Sequence, residues 1–245
     1  MQNHAQQIVQ RTELFAWQVE QLRFSGDFTI YNPLQYAWKM HEAYLRRYFS
    51  HPVRTLLLGM NPGPFGMAQN GIPFGEVNAV KQFLKLDEPI GKPAVEHPSR
   101  PVNGLDVQRS EVSGKRLWGL IAEHYGSALE FSEDMAITNY CPLAFMERGT
   151  HAKNITPDKL AKVERMALEA ICDRYLLDVI NLLQPTYLIG VGKYALKKFQ
   201  QVVGDQEGFV IGAILHPSPA NPHANKQWKE KTREQLISLG VWKEL

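Results

Sequence analysis

The chain has 245 residues, of which 44% are apolar and 21% charged, ordinary globular usage that excludes wholesale disorder. Lys and Arg number 27 against 25 Asp and Glu, a net charge of +2, so there is no global basic field and any nucleic-acid site must be a local patch. Two cysteines, Cys141 and Cys172, cannot build a four-cysteine metal site and suit a reducing compartment.

The opening MQNHAQQIVQ is polar and lacks a signal-peptide core. The longest apolar runs, Thr55 to Met60 and Tyr187 to Val191, fall far short of the roughly 20 residues of a membrane span. These features predict an intracellular protein, cytoplasmic in a bacterium or nuclear in a eukaryote, with no membrane partner. No repeat or low-complexity segment divides the chain, which reads as one domain over 1–245 with residues 1–50 a helical extension packed on it.

In chain order, residues 5–24 carry Ile8, Phe15, Val19 and Leu22 at helical spacing, and 33–49 predict a second helix, aromatic and basic. Arg54 to Met60 predicts a strand running into a Gly- and Pro-rich loop. Residues 76–86 and 115–125 predict helices, and the proline-rich stretch between them an ordered loop or very short hairpin. Met135 to Tyr140 predicts a second strand. Residues 157–183 predict a long helix, with Thr156 as its cap, Pro157 in its first turn and an apolar stripe from Leu168 to Leu183. Thr186 to Val191 and Phe209 to Leu215 predict further strands, and 193–202 and 224–239 helices. Strands alternating with helices imply a parallel sheet with helices on both faces. Ligands in such sheets bind beyond the carboxyl ends of the strands, which directs attention to the segments after Leu58, Tyr140, Val191 and Leu215.

Each of those segments offers a candidate. Gly59-Met60-Asn61-Pro62-Gly63-Pro64-Phe65-Gly66 is a stiff backbone around one Asn. It fits either an ordinary Asn-Pro-Gly turn or a loop bringing backbone N–H groups and the Asn61 amide to a planar ligand or a water. Phe74, between Pro73 and Gly75, is either a core residue or a stacking platform for a base. Asn139, at the second strand's end, either ties down its own loop or pairs with the N3–H and O4 edge of uracil, where cytosine presents the opposite pattern. His216, braced by Pro217, Pro219 and Pro222, either bonds a nearby carbonyl or donates to charge developing on a ligand.

No H-x₃-H, HExxH or CxxC spacing predicts a metal site, and no G-x-S-x-G predicts a serine nucleophile. Gly190-Val191-Gly192-Lys193-Tyr194-Ala195 matches G-x-G-x-x-A but follows a late strand, with no acidic residue at the required distance. It fits a tight strand-to-helix turn better than a dinucleotide site. Lys226, Lys229, Lys231 and Arg233, with Lys193, Lys197 and Lys198, form either a solvated helix face or a phosphate-facing stripe.

In this order the fragments resemble one family, the single-strand-selective monofunctional uracil-DNA glycosylases. The resemblance rests on GMNPGPFGMAQNGIPFGEV (59–77), SEVSGKRLW (110–118), NYCPLAFM (139–146) and HPSPANPHANK (216–226), blocks spanning most of the chain from Arg54 onward. It implies the uracil-glycosylase α/β sandwich, a four-stranded parallel sheet between helices. It also implies excision of uracil, with 5-hydroxymethyluracil or related oxidised or deaminated bases, from single- and double-stranded DNA to begin base excision repair. Asn61 would position the attacking water, where classical uracil-DNA glycosylases carry Asp. Met60 and Gly63 would line the site, with Gly63 near C5 of the base. Phe74 would stack on the flipped base, Asn139 would read its edge, and His216 would bond O2 as the C1′–N1 bond breaks. The loop from Pro217 to Lys226, with Ser218, Pro219, Ala220, Asn221 and Lys226, would contact DNA at the minor groove. Its tip departs from vertebrate members, which carry Arg where this chain has Ala220. The resemblance implies a monomer with no cofactor and no metal, and no placed lysine predicts a strand-cleaving step. The rival readings are a non-catalytic nucleic-acid-binding module and a nucleotide-cofactor enzyme using the Gly190 turn.

Overall fold

Runs of branched aliphatic residues too apolar to face water on either side form the centre of the molecule. The computed structural model describes residues 4–244; expectations touching residues 1–3 and 245 lie outside the described residues. In chain order the elements are α1 (His4–Glu20), β1 (Phe28–Tyr31), α2 (Pro33–Tyr36), α3 (Trp38–Tyr48), β2 (Thr55–Gly59), α4 (Met67–Asn70), α5 (Val112–Tyr125), α6 (Ala128–Asp134), β3 (Met135–Asn139), β4 (Ala144–Glu147), β5 (Asn154–Ile155), α7 (Lys162–Leu183), β6 (Tyr187–Val191), α8 (Lys193–Val203), β7 (Val210–Ile214) and α9 (Trp228–Ser238).

The main sheet has the order β3-β2-β6-β7 and every pairing is parallel. Each residue of β2 and β3 is buried, as expected where helices cover both faces. Register sets Gly59 beside Asn139 and Val191 beside Ile214. The chain therefore leaves β2, β3, β6 and β7 at one common edge, where the sequence placed its candidates. Backbone bonds from Tyr140 N to Gly59 O (3.0 Å) and Cys141 N to Met60 O (2.9 Å) carry the β2–β3 pairing on into both exit loops. Among the described residues, no helix is long and apolar enough to cross a membrane.

Residues before β2 are not all helical. α1 packs on α7 through the Phe15–Tyr175 stack (4.0 Å between centroids) and the Thr12–Tyr175 hydroxyl pair at 2.7 Å. Between α1 and α2 lies β1, which pairs antiparallel with β4; β4 pairs in turn with β5, giving a second, three-stranded sheet that the sequence reading omitted. The expected helix over 33–49 is broken at Ala37, because the Tyr36 carbonyl turns outward to accept Gly91 N at 2.7 Å. Over 76–86 the regular turn is a π-helix, Ala79–Phe83.

The long helix also starts later than expected. Pro157–Lys159 form a separate 3₁₀ turn, Thr156 makes no side-chain cap bond, and Leu160 and Ala161 are extended, so α7 begins at Lys162. The predicted stripe is buried from Leu168 to Leu183, with Ile171 only half-buried.

His41 on α3 is fully enclosed, with Nδ1 2.7 Å from the Gly71 carbonyl, and burial lowers its pKa to about 4. The folded value lies below the usual ~6.5, so the unfolded chain takes the proton first. This contribution to stability is whole above pH 6.5 and is lost as pH falls toward 4. Urea unfolding at pH 7.5 and 4.5 should show a loss of roughly 2–3 kcal/mol from this group, and His41→Gln should flatten that dependence.

Candidate active site

A cavity of about 530 Å³ opens at the carboxyl edge of the sheet. Met60, Asn61, Gly63, Phe74, Asn139, His216, Ser218, Pro219, Ala220 and Asn221, ten of the sequence candidates, all line it. Lys226 is exposed and is not part of the lining.

The loop after β2 is held from two sides. Asn61 Nδ2 reaches the Leu143 carbonyl at 3.4 Å, which leaves its Oδ1 as an acceptor. Asn154, from β5, donates to the Pro62 carbonyl at 3.1 Å. The small sheet thus fixes the Asn61 loop and contributes Asn154 to the cavity wall, joined there by Thr156 just after β5.

Phe74 sits in a left-handed turn (φ 55°), an uncommon conformation for a bulky residue that the surroundings must hold. Asn70 holds it, donating to Gly75 O at 2.6 Å and accepting Ile72 N at 3.0 Å, while Trp118 Nε1 donates to Pro73 O at 3.2 Å. The ring meets Asn139 over Gly59. A Cβ on Gly59 would lie 2.1 Å from Asn139 Oδ1 and 2.6 Å from the Phe74 ring, so only glycine admits both. Asn139 is buried, its Nδ2 3.2 Å from Met67 Sδ and its Oδ1 without a protein partner.

His216 follows β7. Its Nδ1 accepts Ser218 N–H at 3.1 Å. That bond leaves the proton of a neutral ring on Nε2, and burial pushes the pKa below the ordinary histidine value, so the neutral form prevails at pH 7. Gly192 (φ 93°) passes beneath it, where a Cβ would stand 3.1 Å from His216 Cβ. The turn at Gly192 therefore packs against the histidine.

The loop after His216 is internally bonded. Ala220 N donates to Ser218 Oγ (3.2 Å), Asn221 N to Ser218 O (3.0 Å) and Asn221 Nδ2 to His216 O (3.3 Å). Ala220 stands exposed at the tip. Of the basic residues for which the sequence offered either a solvated face or a phosphate-facing stripe, Lys229 and Arg233 pair with Glu123 and Lys198 is buried against Glu169 at 3.0 Å, so these three do not form a free phosphate-facing stripe.

Sequence reasoning passed over Pro64, Met67, Glu111, Ser113, Asn154 and Thr156, all in the lining. Glu111 caps α5, accepting Gly114 N at 2.5 Å. Burial raises its pKa above the ordinary carboxylate range, bonds from Gly114 and Ser113 oppose that rise, and the charge of Glu76 adds to it. The S-E-V-S-G segment at the start of a helix was the available signal.

The cavity thus offers four side-chain amides (Asn61, Asn139, Asn154 and Asn221), a neutral imidazole donor, a single carboxyl and an aromatic wall, a set suited to a flat polar ring. Residues 46–237 match the family model described as the uracil DNA glycosylase superfamily. The chain is 41% identical over 226 residues to the single-strand selective monofunctional uracil DNA glycosylase of Bos taurus, covering 91% of this chain and 82% of that protein. The Mus musculus protein of the same name matches equally, with 80% of its length covered.

The chain belongs to the uracil DNA glycosylase superfamily.

The crystal structure of wild-type Pedobacter heparinus SMUG2 superposes with a TM-score of 0.69 at 19% identity, covering 99% of this chain and all of that one. The superfamily's α/β fold, with its four-stranded parallel sheet, is therefore this protein's fold, at an identity where sequence alone would say little.

The two loop glycines give opposite expectations. Gly59→Ala should lower stability by about 1–3 kcal/mol, the cost of forcing an extra atom into a packed site. Gly63→Ala would meet the Glu111 side chain at ordinary contact distance, its Oε1 nearest at 3.4 Å, and should cost under ~0.5 kcal/mol. Paired chemical-denaturation curves check both.

Proposed function

We propose that the protein is a monofunctional DNA glycosylase that hydrolyses the N-glycosidic bond of uracil in DNA and so starts base excision repair. The observation that carries this reading is the pairing of a neutral His216 donor with an Asn61 acceptor in one cavity, two strands apart in the sheet, over an Asn139 floor and a Phe74 wall.

The chemistry needs little more. As C1′–N1 breaks, its electron pair moves onto the base, and charge gathers on N1 and O2. His216 Nε2–H donates to O2, where one oriented donor contributes roughly 2.7–4 kcal/mol. Asn61 Oδ1 holds a water toward C1′, and the cationic character of the sugar makes a strong base unnecessary. Asn139 pairs with N3–H and O4, which excludes cytosine. Phe74 stacks on the flipped base and returns roughly 1–3 kcal/mol of the unstacking cost. Among the described residues no lysine lines the cavity, consistent with hydrolysis without an imine and strand cleavage. The substrates extend to 5-hydroxymethyluracil and related bases, in single- and double-stranded DNA. The protein works as a monomer inside the cell, in bacterial cytoplasm or a eukaryotic nucleus.

Incubation with a uracil-containing oligonucleotide should release uracil, persist in EDTA, and yield a break only after alkali. A nick before alkali, or DNA binding without base release, overturns the reading. Asn61→Ala and His216→Ala should each slow single-turnover excision by roughly 10²–10³ while binding to abasic DNA changes far less.

Ala220 gives the tip neither a long side chain to fill the stack nor a charge. Cheaply flipped substrates are therefore favoured: single strands, then G·U, then A·U. Ala220→Arg should raise excision from A·U duplexes and leave single strands nearly unchanged. An equal rise on all three would mean phosphate attraction instead of wedging.

A further inference from the structure

Arg116 is a cation held against the loop that walls the cavity, with no anionic partner among the described residues. It lies one turn along α5 from Ser113, which lines the cavity, and residues three apart share a helix face. Its side chain is half-buried between α5 and the loop after His216. Nη1 donates to the Pro217 carbonyl at 2.8 Å, and Nη2 donates to Asn225 Oδ1 at 3.3 Å. Asn225 in turn donates to Pro219 O at 3.0 Å. The guanidinium thus grips both ends of the loop whose residues 218–221 wall the cavity.

All of those partners are neutral. The carboxylate farther along the same helix, Glu123, is taken by Lys229 and Arg233, and among the described residues none pairs with Arg116. Glu111 bonds back onto α5 at Gly114. A guanidinium carries five N–H donors in a rigid plane. Two are spent on the loop, and the charge is unmatched. A partly desolvated, uncompensated cation beside a cavity mouth is complementary to an anion, and its forked donors match phosphate oxygens.

We propose that Arg116 binds one backbone phosphate of the substrate strand beside the extruded nucleotide, and that the same side chain sets the position of the His216 loop. This rests on the glycosylase reading above. It adds a defined phosphate contact on α5 and couples strand binding to placement of the histidine donor. Arg116 is a binding and positioning residue; it does not touch the scissile bond.

The test is a set of single-stranded oligonucleotides carrying a stable abasic analogue, each with one methylphosphonate linkage, which removes a single phosphate charge. Equilibrium titration gives Kd, so the outcome does not depend on excision. With the wild type, neutralising one linkage adjacent to the analogue should weaken binding about tenfold, the scale of a lost charge-assisted bond, and the other linkages should matter much less. With Arg116→Gln, binding to the unmodified strand should weaken by a similar factor, that linkage should lose its special effect, and the salt slope should fall by about one. Arg116→Lys keeps the charge without the fork and should retain part of the effect; it also serves if the Gln variant does not fold. If the variant and methylphosphonate effects multiply at every linkage, Arg116 merely holds the loop and the proposal fails. A wild type that binds as expected but releases no uracil would instead overturn the glycosylase reading and leave the phosphate contact standing.

Discussion

The space above Gly59 is the constraint on which the site depends. Parallel register places Gly59 beside Asn139, and the missing side chain lets the Asn139 amide and the Phe74 ring occupy what would be Cβ volume. Two functional groups from segments far apart in sequence meet over one backbone atom. The left-handed turn at Phe74 is a cost that the Asn70 and Trp118 bonds offset. The site therefore inherits the rigidity of two fully buried strands, β2 and β3, as a geometry-sensitive reaction requires.

Around this floor, two neighbours fix the loops. The small sheet reaches Pro62 through Asn154 and so holds Asn61 from below. On the far side, α5 holds the His216 loop through Arg116, and Trp228 Nε1 donates to Leu215 O at 2.7 Å. Asn61 and His216 can then face one ligand although β6 separates their strands.

Burial sets the electrostatics. The imidazole is kept neutral by enclosure, and the Ser218 N–H fixes which nitrogen carries the proton. A neutral donor stabilises a developing anion without the cost of burying a permanent cation beside it. The single carboxyl of the lining, Glu111, is turned back onto its own helix and held above its ordinary pKa by the same burial.

The main sheet was legible because parallel strands buried on both faces are continuous apolar runs, and the Gly- and Pro-rich exits marked their carboxyl ends. Asn61 and His216 were legible as candidates for the same reason, each just past a strand end; Asn139 closes β3 itself, and Phe74, beyond α4, stood out only by its place between Pro73 and Gly75. The second sheet was not legible. β1, β4 and β5 have four, four and two residues, too few for alternation to register, and Tyr31 pairs with Ala144 across the length of a small domain. Asn154, Glu111 and Arg116 went unassigned with it, because a polar residue on a short strand or a helix face takes its role from what it is folded against. The start of α7 was misplaced because Thr156-Pro157 carries the chemistry of a cap, whereas the chain uses it for a separate 3₁₀ turn. Local sequence determined which segments are strands, where they end and which residues are available there. Tertiary structure alone decided which of those residues meet, since contact across the sheet edge depends on register and on the absence of one Cβ, and neither leaves a periodic trace in the chain.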